Sequence, residues 1–163
     1  MERCPTRSFL IVFVSIFLVS TADVALACSR PHDWSYQKEF DDSNEVFRAF
    51  VTKVEVSDSE IAAEMPAGFF LIEVYYELKE VLKGTPRENG PILTHTAIGG
   101  GCGFPALAGF EYVFFTYPTK IDEDPELADL ANGMISLSGT KGLPIDEKFA
   151  EEEMAQFRSL ASE

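Results

Sequence analysis

Polar and apolar positions alternate in two long runs. Across 45–57, Val46, Arg48, Phe50, Thr52, Val54 and Val56 fall on one face, and Phe47, Ala49, Val51, Lys53 and Glu55 on the other. That period of two predicts a strand with a half-exposed tip. The run at 69–82 is longer: Phe70, Ile72, Val74, Tyr76 and Leu78 alternate with Leu71, Glu73, Tyr75, Glu77 and Lys79. Such a length suits a curved barrel strand that pairs on both sides. Shorter strands are expected at 92–96, 111–117 and 134–137. Turn signals at 83–86 and 88–91 and a glycine-rich loop at 98–105 separate them. Residues 29–40 read as an irregular lead-in, and 58–68 and 118–132 as polar loops.

From about Asp146 the period becomes helical, with Phe149, Met154, Phe157, Leu160 and Ala161 expected as core contacts. Asp146 can cap this helix, Glu147 and Glu151 to Glu153 suit its positive end, and Arg158 suits its negative end. Five strands, a long curved second one and a terminal helix predict a mainly β, five-stranded, OB-fold-like barrel with a C-terminal helix.

The first 27 residues are expected to be a signal peptide outside this fold. Arg3 and Arg7 give a positive start, 8–20 is an apolar run too short for a comfortable membrane span, and Ala25-Leu26-Ala27 supplies a cleavage site. The mature domain is then 28–163, secreted or periplasmic. The alternative reading of the same segment is a lipoprotein signal, which would anchor the protein through an acylated Cys28.

The charge of −14 stays with the mature part, because Glu2 and Asp23 balance Arg3 and Arg7 in the leader. So acidic a surface disfavours nucleic acid and anionic membranes and favours basic partners. No segment after the leader reads as a membrane span, and a monomer is expected. Cleavage leaves Cys28 and Cys102. An even count in an exported chain most simply means one disulfide. It would close a loop of about 75 residues, worth about 4 kcal/mol in the chain-entropy picture. A terminus stapled at its first residue is unusual, since termini normally fray.

Several stretches together carry a family resemblance. A chain beginning with Cys28 leads through Asp41 to Asn44 into VFRAFV. YELKEVLKG follows at 76–84, GGCGFP at 100–105, G-x-E-Y-x-x-F at 109–115 and SGTK at 138–141. In this order and spacing they resemble the netrin-like OB module of the tissue inhibitors of metalloproteinases. The departures are that Arg30 and Leu137 stand where that family has further cysteines, and that a single-domain relative without the family's second domain is expected.

The resemblance implies an exported inhibitor of a zinc metalloprotease. The α-amine and carbonyl of Cys28 would chelate the target's zinc in trans, in the coordination position that an active site leaves open. The amine has a reference pKa of about 7.7–8, so deprotonating it at neutral pH costs only about 1 kcal/mol. Ser29 would point toward the specificity pocket, Arg30 and Pro31 would follow the cleft, and Gly100, Gly101 and Cys102 would form a second ridge. No cofactor is expected, and no enzyme motif such as HExxH or a nucleophile elbow occurs. Two rival readings remain. Cys28, His32, His95 and Cys102 could form a Cys₂His₂ zinc site, which an oxidising compartment disfavours. The domain could also be a non-inhibitory binding module, since fold does not fix function.

Overall fold

The computed structural model describes residues 30, 32–59, 62–63, 65–97, 103–118 and 133–162. Helix α1 (Tyr36–Asp42) leads into β1 (Glu45–Val56), β2 (Phe69–Lys83), β3 (Ile92–Ala97), β4 (Glu111–Tyr117), β5 (Met134–Ile135), β6 (Lys141–Gly142) and helix α2 (Glu147–Leu160). Five strands close a ring in the order β1-β2-β3-β5-β4, with β4 returning to β1. All neighbours are antiparallel except β3 and β5, which meet in parallel at Leu93 and Met134. The protein is therefore a mainly β, OB-fold-like barrel with a C-terminal helix, as the alternation predicts.

Side-chain parity separates two cores. Phe47, Ala49, Val51, Val74, Tyr76, Tyr112 and Phe114 fill the barrel interior. Val46, Val113 and Phe115 point outward from β1 and β4 and are covered by Phe40 of α1 and by Ala150, Met154 and Phe157 of α2. Strand β4 is thus buried on both faces, which is why EYVFFTY reads as an almost unbroken apolar run. An ionic net fastens α2 to the sheet. Arg48 pairs with Glu111 and Glu151 at 2.6 Å, and Arg158 grips Glu80 at 2.7 Å and Glu151 at 3.0 Å. The Arg158 guanidinium holds the Glu80 carboxyl below the ordinary carboxylate range.

The structure corrects four local expectations. In β1 the single alternation breaks, because Val51 pairs with Tyr76 and Lys53 with Tyr75, leaving Thr52 as an extra residue. This bulge flips the parity, so Val54 packs toward the barrel interior with Phe47 and Val51 rather than opposite them. The lead-in is not irregular throughout. Ser35 caps α1 by accepting from Lys38 N at 3.1 Å, and Phe40 is buried one turn on. The fifth strand stops at Ile135, since 137–139 turn away, and β6 adds a short edge on Tyr112 and Val113.

The fourth correction concerns α2, where Ala150, Met154 and Phe157 form the buried stripe and Phe149 is 54 % exposed. The face that meets Phe115 sets the helix rotation, and Phe149 lies one residue off it. Phe149→Ser is accordingly expected to change stability by no more than about 0.5 kcal/mol, while Phe157→Ala costs about 3–5 kcal/mol. Urea melts of the two variants check the contrast.

Candidate functional site

Of the seven ridge residues that the sequence singles out, the structure describes Arg30. Cys28, Ser29, Pro31, Gly100, Gly101 and Cys102 lie outside the described residues, and so does the expected Cys28–Cys102 bridge. The leader expected at 1–27 lies outside them too. Arg30 and Gly103 are the first described residues after the two cysteines.

Arg30 sits over the lead-in. Its guanidinium carbon lies 4.0 Å from the centroid of the Trp34 ring, and Nη2 donates to the carbonyl of Ser138 at 3.0 Å. A cation on an indole face is among the stronger contacts open to a surface arginine. The other segment returns at Gly103, which lies so close to β3 that an added Cβ would overlap the carbonyl oxygen of His95. Only glycine permits that approach. Next to it, Phe104 N donates to Thr94 Oγ1 at 2.9 Å, so the chain that leaves β3 after Ala97 is back against β3 within six residues.

Between these two anchor points lies a cavity of about 530 Å³. Its lining includes Asp33, Trp34, Lys38 and Asp42 on one side, Thr94 and His95 on β3, and Glu39, Tyr117 and 135–138. Arg30, held at Ser138, and Gly103, pressed onto His95, therefore both sit by residues that line this one cavity.

Glu39, only 8 % exposed, places a carboxylate among three neutral hydrogen-bond donors. Oε2 accepts from Trp34 Nε1 at 2.9 Å. Oε1 accepts from Tyr117 OH at 2.6 Å and from Ser136 Oγ. Ser136 Oγ in turn accepts from Gly139 N at 3.1 Å, and a Cβ on Gly139 would stand 2.5 Å from Glu39 Cγ and 2.8 Å from Phe115. The Ser-Gly-Thr stretch thus has a physical reason: its glycine admits the carboxylate stem. Sequence reasoning missed Glu39, which sits in the polar run YQKEFDD and looks solvated there. The lone tryptophan five residues before it was the available signal.

Burial, and next the hydrogen bond to Glu39, push the Tyr117 phenol up to about 12 from an ordinary 10.0. The folded value exceeds the unfolded one, so this contribution is complete below pH 10.0 and is lost as pH rises through about 12. Thermal melts between pH 9 and pH 12 should therefore fall less steeply for Tyr117→Phe than for the parent. An absorbance titration of tyrosinate should lose one late-ionising group.

Of the rival zinc set, His32 is exposed in a turn before α1, His95 lies on β3 opposite Leu71, and both cysteines lie outside the described residues. Among the described residues no group of three or more His, Cys, Asp or Glu side chains is arranged to hold a metal ion. No helix among them is long and apolar enough to cross a membrane. No known family model and no curated protein matches this chain.

Proposed function

We propose that the protein is an exported inhibitor of zinc metalloproteases, acting through the unblocked α-amine and carbonyl of Cys28. The observation that carries the reading is the convergence of the two flanks. Arg30, two residues after Cys28, is held at the Ser138 turn, and Gly103, directly after Cys102, is pressed onto His95. Both border the same end of the barrel, as a bridge between the two cysteines requires. A bridged terminus on a rigid barrel holds its donors in place before docking, and such preorganisation lowers the entropy lost on binding. The motifs shared with the tissue inhibitors of metalloproteinases support the same assignment.

Natively exported protein provides the test. Intact-mass analysis is expected to give a chain starting at Cys28, two hydrogens lighter than the reduced form and free of acyl mass. That material is expected to inhibit a zinc metalloprotease stoichiometrically. A different first residue or a lipid on Cys28 ends the proposal.

One observation favours a protein-binding module of another kind. Phe110 and Ile145 border a groove of about 340 Å³ next to the Arg48–Glu111 pair, and Ile145 is 87 % exposed. That groove lies by the first residue of β4, whereas the cavity lined by Trp34 and Glu39 lies by the last. A module working through the groove would be insensitive to the state of the Cys28 amine.

A further inference from the structure

We infer that Glu39 is a positioning residue, whose buried carboxylate fixes Trp34 and through it the course of the chain at Arg30, two residues from Cys28. The inference rests on the inhibitor reading for its purpose but not for its geometry.

A buried carboxylate is costly unless its oxygens are fully hydrogen-bonded. Glu39 meets that condition with three neutral donors drawn from three places in the chain: Trp34 in the lead-in, Tyr117 at the end of β4 and Ser136 just after β5. A glutamine of the same shape has a single acceptor oxygen and would turn an NH₂ group toward one of these donors. The charge is thus what allows all three to be satisfied together.

The consequence travels outward through Trp34. With Nε1 held by Glu39 at 2.9 Å, the indole also packs edge-on against Tyr36, with ring centroids 4.7 Å apart. Its orientation is then fixed by two independent contacts. Arg30 lies over that indole and donates to the Ser138 carbonyl. Ser138 belongs to the turn whose first residue, Ser136, donates to Glu39. The contacts close a circuit from Glu39 to Trp34, to Arg30, to the 136–139 turn and back to Glu39. Loosening the carboxylate opens the circuit at two points and frees the lead-in without removing any side chain from the barrel interior.

Trp34 is the single tryptophan of the chain, so its fluorescence reports on this circuit alone. In Glu39→Gln, acrylamide quenching of Trp34 should rise, and hydrogen exchange over 30–39 should speed up about tenfold, the weight of one net hydrogen bond. Exchange in β1, β2 and β4 should stay at the parent rate. Trp34→Phe keeps a ring for Arg30 but lacks the indole N–H. Read by exchange alone, it should show the same local loosening even where the glutamine variant folds poorly. Inhibition of the target protease should weaken in both variants through faster dissociation, while Glu39→Asp recovers part of the loss.

Two results overturn the inference: unchanged quenching and exchange at the lead-in, or acceleration spread evenly over the whole barrel. The quenching and exchange arms need no protease. A parent protein that inhibits nothing, with a lead-in that loosens in the variants, would remove the inhibitor reading and keep Glu39 as the positioning residue.

Discussion

Adding one alanine before Cys28, or acetylating its amine, is expected to weaken inhibition of the target protease by about 100-fold or more, equal to about 2.8 kcal/mol at 1.4 kcal/mol per decade. The reason is chemical. An amide nitrogen has no lone pair to offer a metal, and an extra residue moves the amine away from the Cys28 carbonyl with which it would form a five-membered chelate. The barrel is not involved, so the melting temperature should be unchanged. Competition assays with titrated protease separate the two effects. An inhibition constant that moves less than about threefold, under 1 kcal/mol, would place the binding energy elsewhere on the surface.

Phe115→Ala is expected to cost about 3–5 kcal/mol of stability. Phe115 is fully buried on the outer face of β4. Its ring contacts Phe157 of α2 with centroids 5.9 Å apart, Phe40 of α1 at 6.5 Å and Tyr36 at 6.2 Å. Truncation opens a void that no single helix can fill, because two helices lean on the same ring. In a domain of this size the melting temperature should drop by about 10–15 °C. The cavity behind the lead-in should suffer as well, since α1 carries Glu39. A calorimetric scan checks the first effect and Trp34 emission the second. A loss below about 1 kcal/mol would mean that the helices are not held through this ring.

The barrel was legible because alternation survives over long strands such as 69–83 and because β4, buried on both faces, shows as an apolar run. The bulge at Thr52 was not, as Lys53 and Glu55 continue an alternating pattern on paper while the backbone has slipped by one. Helix α1 spans two turns, too few for a 3.6-residue period to stand out among polar residues. The rotation of α2 was misread because Phe149 is the more apolar residue and Ala150 the better-fitting one against β4. The disulfide expected from the even cysteine count and the placement of Cys28 lies outside the described residues. The Glu39 cluster was not legible. Its partners Tyr117 and Ser136 lie 78 and 97 residues further along, and nothing local to YQKEFDD announces them.

Zinc coordination by the leading residue can be seen directly in a crystal structure of the natively processed protein bound to a metalloprotease. Under the proposed inhibition the nitrogen and carbonyl oxygen of Cys28 lie within about 2.0–2.2 Å of the catalytic zinc, completing its coordination. A complex in which the zinc keeps its water and Cys28 lies away from the metal would contradict it.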